Sequence, residues 1–132
     1  MAHRLLGSRR MAPHTVLVVD DERDFRDALE AVLADEGFNL LKAGTAAEGV
    51  SMALVLQPEV VLMDVWLPDG RGLDALTRLR QRGFERPVVV VSGAPELLDA
   101  LPRGADAVLP KPLDCDALCA LLQSFIRPGA RR

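Results

Sequence analysis

Four short segments hold the residues best equipped for chemistry: Asp20-Asp21-Glu22, Asp64, Ser92-Gly93 and Lys111-Pro112. If Asp20, Asp21 and Asp64 met, three carboxylates would share one place. Two like charges about 4 Å apart repel by about 4 kcal/mol at an effective dielectric of 20. A cation must relieve that crowding, and oxygen-only ligands with room for water suit Mg²⁺, which takes one or two carboxylates plus waters and phosphate oxygens. Asp20, Asp21, Asp64 and Lys111 together carry a surplus of negative charge. Mg²⁺ would cancel it, and a dianionic phosphoryl group on one carboxylate would leave a net charge of about −1. A carboxylate can attack phosphorus to form an aspartyl phosphate while a metal and a lysine neutralise the transferring group. Each residue alone has an ordinary alternative: Asp21 as a helix cap, Asp64 and Ser92 as loop polar groups, Lys111 as a solvated lysine. Their coincidence on one edge is what argues for a site.

That edge exists only if the right elements deliver it. Val16-Leu17-Val18-Val19, Val60-Val61-Leu62-Met63 and Val88-Val89-Val90-Val91 are apolar runs rich in β-branched residues, the pattern of strands buried on both faces of a parallel sheet. Weaker strands fit 39–43 and 107–109. Phe25, Ala28, Leu29, Val32 and Leu33 recur with helical spacing before Gly37. Further helices are predicted after Thr45 with Val50, Ala53 and Leu54 inward, through Leu73, Leu76 and Leu79 to Gly83, and from Asp114 with Leu118, Leu122 and Phe125. A short fourth helix, holding Leu97, Leu98 and Leu101, fits between Pro95 and Pro102. Strand then helix, repeated, implies an α/β fold: a flavodoxin-like, doubly wound five-stranded parallel sheet of order 2-1-3-4-5 with helices on both faces. Ligands of such sheets bind beyond the carboxyl ends of the strands, where all four segments fall.

Composition bounds the rest. The 132 residues are 49% hydrophobic with a net charge of −3, which fits one domain and disfavours direct nucleic-acid binding. The expected division is a flexible tail over 1–14, a domain over 15–127 and a tail over 128–132. No apolar run is long enough for a membrane span, so a cytoplasmic protein without membrane contact is expected. Only Lys42 and Lys111 of the 16 basic residues are lysine. Arg78, Arg80 and Arg82 read as a solvated helix face, and Cys115 and Cys119, four apart on a helix, as packing residues. P-loop, Rossmann and Gly-x-Ser-x-Gly signatures are absent.

In this order, the segments Val16 to Glu22, Asp64-Val65-Trp66-Leu67-Pro68-Asp69-Gly70-Arg71-Gly72, Val91-Ser92-Gly93, Gly104-Ala105-Asp106 and Lys111-Pro112 resemble the receiver domains of two-component response regulators. The resemblance covers about residues 15–126. It implies a regulatory domain rather than an enzyme, with Asp64 accepting a phosphoryl group from a phosphohistidine. It also implies Mg²⁺ bound directly by Asp21 and Asp64, through water by Asp20, and by the backbone carbonyl of Trp66. Ser92, Gly93 and Lys111 would hold the phosphoryl group, with Lys111-Pro112 cis. The implied partners are a sensor histidine kinase or phosphotransfer protein, a downstream protein, and in some settings a second copy as a homodimer.

Two departures bear on signalling. Receivers usually carry an aromatic residue three positions before the lysine, where this chain has Val108, and the segment from Ser92 to Gly104 is short. A receiver-like interaction module that signals without phosphorylation is therefore the alternative function. Trp66, two residues beyond the acceptor, and Ala94, two beyond Ser92, flank the path of hydrolytic water by the same resemblance. Trp66 either blocks that water, prolonging the phosphorylated state, or merely packs over the surface.

Overall fold

The structure is a computed structural model, and it describes residues 14–93, 100–101 and 103–126. Strands β1 (His14–Val19), β2 (Phe38–Ala43), β3 (Val60–Asp64), β4 (Val88–Ser92) and β5 (Ala107–Pro110) form one parallel sheet in the order β2-β1-β3-β4-β5. This is the expected doubly wound topology. Helices α1 (Arg23–Asp35), α2 (Ala46–Leu56), α3 (Gly72–Gln81) and α4 (Cys115–Ile126) cover its faces. A two-residue antiparallel ladder, Trp66–Leu67 with Gly70–Arg71, lies between β3 and α3 and has no strand-like pattern in the sequence. β1 opens at His14, one residue inside the expected tail, because His14 pairs in register with Phe38.

Alternation along the central strands builds two cores. Leu17, Val19, Val61, Met63, Val88 and Val90 face α2 and α3. Their neighbours Val16, Val18, Val60, Leu62, Val89 and Val91 face Leu29 and Leu33 of α1 and Leu118 and Leu122 of α4. Since both faces are covered, the strands must be apolar throughout, which is why they read as continuous valine-rich runs. Of the five residues expected to form the inward stripe of α1, Leu29 and Leu33 are fully buried, whereas Ala28 is exposed. Thr45 caps α2 by accepting from the Glu48 N–H at 3.1 Å, and Asp114 accepts from the N–H groups of Asp116 and Ala117 to start α4. The free thiols Cys115 and Cys119 are partly buried, and Cys119 packs against the α1–α4 core. Lys42 pairs with Glu30 at 2.6 Å and Asp27 at 3.5 Å, tying β2 to α1.

The expected fourth helix lies mostly outside the described residues, with Pro95, Leu97, Leu98 and Pro102; Leu101 sits in an exposed turn. No helix among the described residues is long and apolar enough to cross a membrane.

One expectation is overturned. Arg80 does not lie on a solvated face: its guanidinium donates to the carbonyls of Gly104, Phe84 and Arg86 and to the Asp106 carboxylate, at 2.7 to 3.0 Å. Asp106 in turn accepts from the Val88 N–H at 2.9 Å. The carbonyls of Phe84 and Arg86 lie between α3 and β4 and that of Gly104 before β5, outside helix and strand, where one planar five-donor group can satisfy them. Removing it strands several acceptors at once. Arg80→Met should cost about 2 kcal/mol in urea unfolding, whereas Arg23→Met on exposed α1 should stay within about 0.5 kcal/mol. Equal effects of the two substitutions would dismiss the clamp.

Candidate functional site

The register of the sheet assembles the site. Val19 pairs with Met63, so Asp20 and Asp64 leave adjacent strands side by side at the carboxyl edge. On the other side of Asp64, Ser92 pairs with Pro110, and the Lys111 N–H donates to the Ser92 carbonyl at 3.1 Å. That places the lysine over the acid edge. Carboxylate oxygens of Asp20, Asp21 and Asp64 all lie within 4.8 Å of one another. The Lys111 ammonium donates to Asp20 Oδ2 at 2.9 Å and stands 3.6 Å from Asp64 Oδ2. Its Lys111-Pro112 bond is cis, and Nζ lies 4.7 Å from the centre of the Phe25 ring.

The three acids are not equivalent. Asp20 is 2% exposed, and both of its oxygens are engaged, Oδ1 by the Glu22 N–H at 2.9 Å and Oδ2 by Lys111. Asp64 is partly buried, with only its Oδ2 near the ammonium. Asp21 is exposed and makes no side-chain hydrogen bond or ion pair to a described residue. Burial pushes the Asp64 carboxyl above the ordinary carboxylate range, with the Asp20 charge adding to it; Lys111 and the backbone N–H groups of Trp66 and Val65 oppose the rise. Burial pulls Lys111 down, but the hydrogen bond and charge of Asp20 and the charge of Asp64 outweigh it and hold the ammonium above its usual range. Lys111 is therefore charged at any physiological pH.

Ser92, 2% exposed, ends β4 beside this group, and Gly93 follows it on the surface. A Cβ on Gly93 would lie 3.8 Å from the Lys111 carbonyl oxygen, an ordinary contact, so the glycine leaves open space rather than being sterically required. The Trp66 side chain is 52% exposed and carries the Arg71 guanidinium 4.8 Å from its ring centre. This stacking is the arrangement expected of a surface-packing role. Ala94 lies outside the described residues.

Three residues to which the sequence assigns no role hold the site in shape. Arg26 Nη1 donates to the Asp20 carbonyl at 2.7 Å, while its Nε is buried without a hydrogen-bond partner. Gly72 opens α3 against the acceptor strand: its N–H donates to the Val65 carbonyl at 2.6 Å, and a Cβ there would stand 1.9 Å from the Asp64 carbonyl oxygen. Only glycine fits. Asp69 accepts from the N–H groups of Ala46 and Ala47 at 2.7 and 3.0 Å, and these bonds at the start of α2 hold its carboxyl below the ordinary range. In the sequence Asp69 stands only within the segment Asp64 to Gly72 that carries the family resemblance, and nothing there signals its reach of more than twenty residues back to α2.

The donor set suits a hard divalent cation. The cluster offers oxygen atoms only, with Asp21 making no contact to a described residue, and the ammonium pairs with two of the three carboxylates. Without histidine or thiolate it has no zinc character.

The response regulator receiver domain family model matches residues 16–123. The chain is 33% identical over 118 residues to the transcriptional regulatory protein DltR of Streptococcus agalactiae, covering 87% of this chain and 53% of that protein. It is 30% identical over 115 residues to the cell cycle transcriptional regulator CtrA of Caulobacter vibrioides, covering 85% of this chain and 50% of CtrA. The chain thus spans about half the length of these curated relatives. Among solved structures, the receiver domain of NtrX from Brucella abortus superimposes with a TM-score of 0.78 at 31% identity, covering 86% of this chain and 99% of that one.

The raised Asp64 carboxyl has a sign that can be measured. An acid whose pKa is higher folded than unfolded binds protons more tightly in the folded state. Stability therefore falls as pH rises from the ordinary carboxylate range through the raised value, and at neutral pH ionised Asp64 works against folding. In EDTA at neutral pH, Asp64→Asn should raise Tm by about 4 °C, the shift that roughly 1 kcal/mol produces in a domain of this size. Adding Mg²⁺ should then stabilise the wild type more than the variant. A Tm that does not rise on substitution would mean that Lys111 already relieves the crowding in full.

Proposed function

The chain belongs to the response regulator receiver family, and from that premise we propose that it is a phosphorylation-controlled signalling switch whose acceptor is Asp64. The observation that carries this reading is the meeting of Asp20, Asp21 and Asp64 within 4.8 Å, with Lys111 bridging from the far end of the chain. In the proposed step an Asp64 carboxylate oxygen attacks the phosphorus of a phosphohistidine. A P–O bond forms, the P–N bond breaks, and the departing imidazole takes a proton. Mg²⁺, when bound, supplies neutralisation of the charge gathered by the acids and the transferring oxygens. Asp21 and Asp64 would hold it, with the Trp66 carbonyl as a further ligand and Asp20 acting through water.

Lys111 faces both Asp20 and Asp64, so it can turn from a carboxylate to an incoming phosphoryl oxygen with little movement of its stem. Ser92 stands at the adjacent strand end, where its hydroxyl can donate to a second oxygen, and Gly93 leaves its side of the group open. Asp20, with both oxygens engaged, anchors the lysine between turnovers. The phosphodonor is a sensor histidine kinase or a phosphotransfer protein, in the cytoplasm. The output is a downstream protein rather than nucleic acid bound by this domain, because a net charge of −3 does not suit a surface that neutralises phosphates.

The test is intact mass after incubation with acetyl phosphate and Mg²⁺. The wild type should gain about 80 Da, the mass of one HPO₃ unit, in a Mg²⁺-dependent manner, and Asp64→Asn should gain nothing. Lys111→Ala should keep its Mg²⁺ affinity but phosphorylate at least about tenfold more slowly, whereas Asp21→Ala should lose the metal, read by calorimetry. A gain that persists in Asp64→Asn would move the acceptor elsewhere. A wild type that takes up no phosphoryl group would leave the interaction module that signals without phosphorylation.

A further inference from the structure

Cys115 and Cys119 are the only cysteines of the chain, and both are free. They stand four apart in α4, the first at its opening residue, so one helical turn brings their Cβ atoms about 5–6 Å apart. Two sulfurs on such stems can reach one small centre between them. Both turn towards α1. Cys115 lines a cavity with Leu29 and Val32, while Cys119 packs against the α1–α4 core within reach of the charge of Glu36, the residue that follows α1. Neither thiol makes a hydrogen bond to a described residue.

The cavity beside Cys115 is apolar. It holds about 270 Å³ between Phe25, Leu29, Val32 and Leu113, and among the described residues Lys111 is the one charged group that lines it. That ammonium is taken up by Asp20 and Asp64, so an entering molecule meets apolar side chains and one thiol. A cavity of about 150 Å³ with such a lining is enough to bind benzene.

The chemistry of the pair selects its ligand. Zinc asks for four donors, or three and a water, and among the described residues the one group of three or more metal-ligating side chains is Asp20, Asp21 and Asp64. Two sulfurs alone suit a soft centre that takes only two bonds from the protein. Burial holds the Cys119 thiol above its usual range, with Glu36, Cys115 and Asp116 adding to the rise, so it stays protonated at neutral pH. A centre that reacts with thiols and carries off their protons therefore fits better than one that needs two thiolates ready formed.

We propose that Cys115 and Cys119 chelate a monosubstituted trivalent arsenical, R–As=O, whose organic group enters the cavity. Two As–S bonds form, the As=O bond breaks, and the oxygen leaves as water with both thiol protons. Arsenic stays trivalent, and no oxidant or reductant takes part. A divalent mercury ion also takes two sulfurs, but it would leave the cavity unused.

Intact mass of the reduced chain with phenylarsine oxide tests this, and the reading is independent of phosphoryl uptake at Asp64. The chain should gain one phenylarsenic unit and lose two hydrogens. Excess mercaptoethanol should leave the adduct in place, whereas dimercaptopropanol should strip it. Cys115→Ala and Cys119→Ala should each weaken retention by about a hundredfold, because the second As–S bond forms within one molecule. Ala28→Phe, at an exposed position on the cavity wall, should weaken the phenyl arsenical by about tenfold and spare the methyl arsenical, which is too small to need the cavity. Should circular dichroism show Cys119→Ala to be unfolded, Cys115→Ala at the helix opening decides the matter. A chain that takes up no arsenical, an adduct that mercaptoethanol removes, or an alanine variant that retains it as the wild type does overturns the proposal. So does Ala28→Phe acting alike on both arsenicals.

Discussion

The ammonium of Lys111 between Asp20 and Asp64 is the contact on which the carboxyl edge depends. Three carboxylates at a partly buried sheet edge repel one another, and among the described residues Lys111 is the cation that ion-pairs with two of them, reached across ninety-one residues of sequence. Such a long-range contact needs both β1 and β5 in place, along with the strands between them. The parallel register accomplishes this: the Val19–Met63 and Ser92–Pro110 pairings fix where each strand stops, and each stop presents one polar group. The apolar strands are the ruler that sets the spacing of the acids.

Around that contact the backbone is held more firmly than the side chains. Arg26 grips the Asp20 carbonyl, the Glu22 N–H grips its carboxylate, and Gly72 presses α3 against the main chain of Asp64. Asp21 makes no contact to a described residue, and Asp64 meets the lysine through one oxygen. The division has a physical logic. A group that must accept a ligand has to remain under-satisfied, and it keeps its position only if its neighbours are fully satisfied.

The central strands and the acid and hydroxyl positions are legible in the sequence because each rests on a local pattern, a β-branched run followed by a polar residue, while the strand order follows from the alternation of strand and helix with right-handed crossovers. Arg80 was not, because its partners Gly104, Phe84 and Arg86 are main-chain carbonyls whose orientation depends on turns that no periodicity reveals. The same holds for Asp69, whose donors are the first N–H groups of a helix more than twenty residues earlier. Gly72 stands in the segment that carries the resemblance, but its need to be glycine comes from the close approach of α3 to the Asp64 carbonyl, which no side-chain pattern shows. Residues 1–14 carry no helical or strand period, so His14 reads as tail, and its pairing with Phe38 is backbone bonding to which side-chain type is nearly indifferent. Side-chain patterns announced the elements, while main-chain satisfaction, which settles boundaries and clamps, stayed hidden.

The two cores meet the site from opposite sides, and this constrains how a change there can spread. Asp64 is braced by α3 through Gly72, whereas Lys111 rests on Phe25 of α1 and leads by way of Pro112 into α4. Val108, paired with Val90, packs against the α2–α3 core and has neither a ring to reorient nor a polar group to exchange partners. A shift in the Asp64–Lys111 separation therefore cannot be relayed by a swinging side chain at that position. Among the described residues, the contacts that the two residues make themselves offer the routes, the Gly72 brace into α3 and the hydrogen bond from Lys111 to Ser92 that joins the ends of β5 and β4 among them. Both are main-chain contacts in a close-packed fold, which moves as packed units and not by continuous deformation.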